Sequence, residues 1–149
     1  MERNHKTMNH TYLATASITI HAPASRVWDA LTKPELVKQY MFGTEVITNW
    51  RVGSSITYRG EWQGKSYEDK GRVLRNEPGK VLESTYWSLM SGKPDLPENY
   101  QTVRYELAPS GNTTLLTITQ DNNNSPEAAA HSEQNWKMVL EGMKIILEG

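Results

Sequence analysis

From Tyr12 to His21 apolar and polar residues alternate. Ala14, Ala16, Ile18 and Ile20 fall on one side and Thr15, Ser17, Thr19 and His21 on the other, the period of two that predicts a strand buried on one face. The pattern then changes. Pro23 stands where a first helical turn tolerates it, and Val27, Trp28 and Leu31 follow at helical spacing. Thr32-Lys33-Pro34-Glu35 reads as a capping box that restarts the helix, with Leu36, Val37 and Tyr40 on its buried side. Strand patterns resume over residues 44–49, 54–62, 67–75, 81–87, 100–108 and 113–121, punctuated by Gly53, Gly64, Pro78-Gly79 and Pro109-Ser110-Gly111-Asn112. Connections this short imply antiparallel neighbours, apart from a longer loop at SLMSGKPDLPEN. Ser125-Pro126-Glu127 then carries the cap, first-turn proline and early acid of a helix start. Trp136, Val139, Leu140, Met143, Ile146 and Leu147 form one stripe of a helix over 126–147, about 33 Å long at 1.5 Å per residue.

This order predicts an α+β domain over residues 11–149, preceded by a polar, flexible arm at 1–10: a curved antiparallel sheet of six or seven strands, two short helices after the first strand, and one long C-terminal helix. A twisted sheet curls, and a straight helix laid in its hollow meets the rims better than the middle, so the middle is expected to stay open. Strand parity turns inward Ile56, Tyr58 and Trp62, then Tyr67, Asp69 and Val73, then Leu82, Ser84 and Tyr86, then Val103 and Tyr105, then Leu116, Ile118 and Gln120. A bulge reverses the face of any set beyond it. The chain has seven Tyr and five Trp but one Phe, and rings with a polar tip suit a partly wet interior. Tyr58, Trp62, Tyr67, Asp69, Ser84, Tyr86, Tyr105 and Gln120 from the sheet, with Trp136, Leu140 and Met143 from the helix, are therefore the expected cavity lining.

Charge and composition narrow the partners. A net charge of −1 with acids and bases interspersed leaves no footprint for nucleic acid. No apolar run suits membrane insertion, and MERNHKTMNH lacks a signal-peptide core, so a cytoplasmic location is expected. The absence of cysteine removes disulfides, thiolate zinc sites and thiol nucleophiles. His5, His10, His21 and His131 are scattered without metal spacing, no catalytic motif appears, and no cofactor or metal is implied. Asp69 is the sharpest residue. Inward among Tyr58, Tyr67 and Tyr86 it needs a hydrogen bond, whereas a bulge would turn it out to solvent. Gly142, in mid-helix, costs about 1 kcal/mol against alanine and marks either a close backbone approach or room left for a ligand.

The runs ITIHAPASRVWDALTKPELVKQYM, WRVGSSITYRG, GRVLRNEPGKVLESTYW, TVRYELAPSGNTTLLTITQ and NWKMVLEGMKIILE resemble the START-like (SRPBCC) superfamily, in the branch of activators of heat-shock protein 90 ATPase homologues. The resemblance implies a helix-grip fold whose last helix closes a cavity for a hydrophobic or amphipathic small molecule. It departs from relatives at Tyr40-Met41, where paired tryptophans are common near the cavity mouth, and at Gln120, where many have a histidine. The leading expectation is a small-molecule binding or carrier protein, a monomer or weak homodimer. The alternatives are a chaperone-ATPase regulator acting by surface contact, and a cavity-based hydrolase or cyclase using Asp69, Tyr58 and Tyr86.

Overall fold

Each alternating run becomes a strand hydrogen-bonded antiparallel to its neighbours. The computed structural model describes residues 12–149, apart from the side chain of Trp62; the arm expected over 1–10 lies outside the described residues. The strands are β1 (Ala14–Ile20), β2 (Glu45–Ile47), β3 (Ser55–Trp62), β4 (Lys65–Glu77), β5 (Val81–Tyr86), β6 (Gln101–Ser110) and β7 (Thr113–Gln120); the helices are α1 (Ala24–Thr32), α2 (Pro34–Tyr40) and α3 (Pro126–Glu148). One sheet holds all seven strands in the order β1-β7-β6-β5-β4-β3-β2. This is the α+β arrangement expected from the pattern, and it is the helix-grip fold that the resemblance implies.

The sheet's inner face carries the core. Ala14, Ala16 and Ile20 of β1, Ile56 of β3, Val73 of β4, Leu82 of β5, Val103 and Leu107 of β6, and Leu116 and Ile118 of β7 are all buried. A bulge interrupts β4, where Val73 pairs with Ser84 but Arg75 with Glu83. Leu74 is the extra residue, and beyond it the parity reverses, so Asn76 pairs with Leu82 and its Nδ2 donates to the Trp50 carbonyl at 2.8 Å. On the opposite face Trp87, Tyr100, Lys70 and Asp95 gather. Trp87 stacks on Tyr100 with centroids 6.3 Å apart, the Lys70 ammonium sits 5.6 Å from the Trp87 ring, and Asp95 pairs with Lys70 and accepts from the Tyr100 hydroxyl at 2.6 Å.

Pro34 decides the boundary between the first two helices. It forces Lys33 into an extended conformation (ψ 119°), which makes Lys33 the cap and leaves Thr32 as the last residue of α1. The expected capping box therefore does not form: the Thr32 hydroxyl donates back to the Trp28 carbonyl at 2.9 Å, and α2 has no side-chain cap. The α3 start is as expected, with the Ser125 hydroxyl accepting from Ala128 N at 3.0 Å. Val139, Leu140, Met143 and Leu147 are buried beneath α3, whose backbone runs along β1 and meets α1 and α2. Its far end is tied down by Glu148, which accepts from His21 N at 2.7 Å and from Lys144 Nζ at 2.6 Å. Those contacts, the His21 N–H first, lower the Glu148 carboxyl to about 2. Among the described residues no helix is long and apolar enough to cross a membrane.

Two glycines at close approaches have opposite consequences. A Cβ on Gly142 would meet Tyr40 Cβ at 3.5 Å, an ordinary contact. A Cβ on Gly71 would lie 1.8 Å from the Thr85 carbonyl oxygen across the sheet. Gly142→Ala is therefore expected to stabilise the fold by about 1 kcal/mol through helix propensity, and Gly71→Ala to destabilise it by about 3 kcal/mol through overpacking. Urea denaturation midpoints of the two variants check both signs.

Candidate functional site

The middle expected to be open is nearly filled. Between the sheet and the α2–α3 side about 20 Å³ remains, roughly the room a single water needs. Five rings close it: Tyr40, Trp50, Tyr58, Tyr105 and Trp136 all line the remnant. The polar tips of Tyr40, Trp50 and Trp136 are held by hydrogen bonds. The Tyr40 hydroxyl donates to the Ala30 carbonyl at 2.7 Å, and Trp50 Nε1 donates to the Thr32 carbonyl at 2.8 Å. Trp136 meets Tyr105 edge-on, with centroids 6.0 Å apart, and its Nε1 donates to Gln120 Oε1 at 2.7 Å. Gln120 in turn donates to Gln101 Oε1 at 2.6 Å. Asn123 extends the ladder, donating to the carbonyls of Tyr12 and Gln120 and accepting from Ser132 at 3.0 Å. The openness inferred from a helix across a curled sheet is lost because α2 and the Trp50 loop bring two further rings over the strands that α3 does not reach.

A second space lies outside this plug. It is a concavity of about 1270 Å³ between the end of α2, the β3–β4 hairpin and the turn at Leu89-Met90. Phe42, Leu89 and Met90 line it and are 64%, 74% and 74% exposed, which gives it an apolar rim. Tyr67, Asp69 and Gly60 also line it. The Tyr67 ring lies across Gly60, its partner in the β3–β4 register, where a Cβ would come within 2.6 Å of the phenol oxygen. Glycine there makes the seat for the ring, whose hydroxyl is hydrogen-bonded to Thr44 Oγ1 at 2.5 Å.

Asp69 is buried, 8% exposed, on the inner parity of β4 upstream of the bulge. The Tyr86 hydroxyl donates to its Oδ2 at 2.5 Å. Tyr86 also packs edge-on against Tyr58, centroids 5.8 Å apart, so a carboxylate in the outer space and a phenol in the inner one belong to one cluster. Burial, with a smaller opposing effect from the Ser84 hydroxyl, pushes the Tyr58 phenol up to about 12. Burial pushes Tyr40, Tyr86 and Tyr105 up as well, Tyr86 further through its bond to Asp69. These four are neutral donors at physiological pH, not bases.

The expected lining residues thus divide. Tyr58, Ser84, Tyr105 and Trp136 surround the inner remnant, Tyr67 and Asp69 the outer concavity, and Tyr86 joins the two. Gln120 supports Trp136 from behind, and Leu140 and Met143 are fully buried core. Trp62 closes β3 opposite Lys65, but its side chain lies outside the described residues. Trp50, Phe42, Leu89 and Met90 escape the strand pattern because they sit in turns. Trp50 and Phe42 adopt φ of 64° and 56°, values no apolar periodicity announces. Among the described residues no acids and histidines gather at metal-binding spacing.

The sequence over residues 21–148 matches the family described as "Activator of Hsp90 ATPase homolog 1-like protein". The chain belongs to that family. A protein of Cytophaga hutchinsonii, known by its solution structure, is 45% identical with a TM-score of 0.80, over 91% of this chain and 93% of that one. The Aha1 dimer of Colwellia psychrerythraea is similar at 20% identity and a TM-score of 0.71, over 91% of this chain and 96% of its own. CalU16 of Micromonospora echinospora is similar at 24% identity and a TM-score of 0.68, over 88% and 73%. The last two likenesses establish the fold. No curated protein matches the sequence. In this activator-homologue domain the plug of rings and the outer concavity adjoin through the Tyr58, Tyr86 and Asp69 cluster.

The raised tyrosines set a pH dependence. The native state keeps phenolic protons that the unfolded chain releases near 10, so their stabilising effect is complete below pH 10 and, for Tyr58, is lost as pH rises through about 12. Denaturation midpoints are expected to fall above pH 10, and less steeply in Tyr58→Phe. Phenolate absorbance measured alongside urea unfolding checks this.

Proposed function

We propose that the protein binds a small amphipathic molecule at the mouth between α2 and the β3–β4 hairpin, with its polar end toward Asp69 and Tyr67. The observation that carries this reading is the pairing of an apolar rim, Phe42, Leu89 and Met90, with a buried carboxylate and a phenol in one concavity. The volume of about 1270 Å³ exceeds what one small ligand needs, since ligand sites commonly span roughly 300–1,000 Å³. The inner remnant of about 20 Å³ admits nothing larger than water while the rings stay in place. Deeper insertion requires Tyr58 and Tyr86 to turn together, because they are packed on one another. Tyr58, Ser84, Tyr105 and Trp136 are then the wall that a penetrating apolar tail would meet.

Titration with short alkyl and aromatic amphiphiles, followed by amide chemical shifts, is expected to give saturable changes at Phe42, Tyr67 and Met90. Met90→Glu should weaken binding about ten-fold, the effect of one lost apolar contact worth 1–2 kcal/mol. A broad panel that leaves those amides unmoved rejects the reading.

Membership of the activator family supports a second reading, contact with a heat-shock 90 chaperone. The same exposed Phe42, Leu89 and Met90 supply the apolar surface such a contact would use. On that view the full chain raises the ATPase rate of the host chaperone, and Met90→Glu abolishes the increase. Unchanged turnover with the wild-type chain removes it.

A further inference from the structure

The mouth contains one charge that is treated differently from all the others. Lys38, Arg59, Lys65, Glu45, Glu61 and Glu68 also line the concavity, but all six are exposed, and Arg59 is paired with Glu68 at 3.2 Å. Charges of that kind are hydrated and screened. Asp69 is 8% exposed, and no described Lys or Arg forms an ion pair with it. Its one described hydrogen bond comes from the neutral Tyr86 hydroxyl to Oδ2. A carboxylate has two oxygens and about four acceptor sites, so this leaves Oδ1 with acceptor capacity at the concavity it lines. Lys70, the next residue, belongs to the opposite face and is engaged with Asp95 and the Trp87 ring.

Aromatic surface is present beside the same carboxylate. Tyr67 lines the concavity next to it, and Tyr86 bonds to it directly. A buried carboxylate with a vacant acceptor beside ring surface selects for a cation that brings its own N–H donors, through charge-assisted hydrogen bonding and cation–π attraction. An anionic head group would be repelled, and an alcohol would forgo the ion pair.

We infer that the amphipathic ligand of this mouth carries a protonated amine, which donates to Asp69 Oδ1 while its apolar portion lies against Phe42, Leu89 and Met90. The inference rests on the mouth being the binding site and adds the chemical class of the head group. The adduct is a reversible ion pair with no covalent step.

n-Octylamine, n-octanol and n-octanoate share a chain and differ in the head group, so their comparison separates the two ideas. With wild-type protein the amine is expected to bind on the order of ten-fold tighter than the alcohol, the value of one charge-assisted hydrogen bond, and the octanoate weaker than either. Asp69→Asn keeps an acceptor for Tyr86 and removes the charge. In that variant the ratio of amine to alcohol affinity should fall from about ten to about one. Equal wild-type affinities for amine and alcohol, or a preference for octanoate, overturn the amine assignment and leave the mouth reading standing. No saturable binding by any of the three overturns both. The wild-type comparison decides the matter even if Asp69→Asn fails to fold.

Discussion

One helix cannot cover seven strands, and that mismatch shapes the rest of the molecule. α3 runs along β1, at one margin of the sheet, so the inner faces of β3, β4 and β5 need other cover. α2 and the Trp50 loop provide part of it, and the side chains there are large rings because the gap is wide. Toward the β3–β4 hairpin even that cover ends, and the inner face opens to solvent where Asp69 and Tyr67 lie. The mouth is thus a consequence of where α3 runs.

Tyrosine and tryptophan solve a packing problem that phenylalanine would solve with less polar work. Their rings fill the space, while their tips satisfy backbone and side-chain groups an apolar plug would leave unpaired. Tyr40 ties α2 to α1 through Ala30, Trp50 ties its loop to the end of α1, and Trp136 ties α3 to β7 through Gln120. Tyr86 bonds to Asp69 and packs on Tyr58, so the carboxylate and this ring pair form one unit.

Small local features set which side chains take part. The bulge at Leu74 lies beyond Val73, so Tyr67, Asp69, Gly71 and Val73 keep one parity and face inward, while Asn76 takes over the inner position past it. Gly60 and Gly71 remove side-chain bulk where Tyr67 and the Thr85 carbonyl come close. Shifting the bulge a few residues toward the hairpin would place Asp69 on the outer face, beside Lys70's present partners.

Element type and order were legible in the chain, because periods of two and of about 3.6 are local properties that each segment carries alone. So was the inward parity of Tyr58, Asp69, Ser84 and Tyr105, which follows from alternation on the hairpin side of the bulge. What only the tertiary structure decided is how much of the hollow is filled. That depends on the course of α3 and on Trp50, a loop residue whose left-handed backbone no periodicity reports. Whether Asp69 meets a hydroxyl or a cation was likewise undecided by sequence, since Lys70 is its neighbour in the chain whereas Tyr86 stands 17 residues away on the next strand. The sheet places them on opposite faces, and only the face holding Tyr86 shares the mouth with the carboxylate.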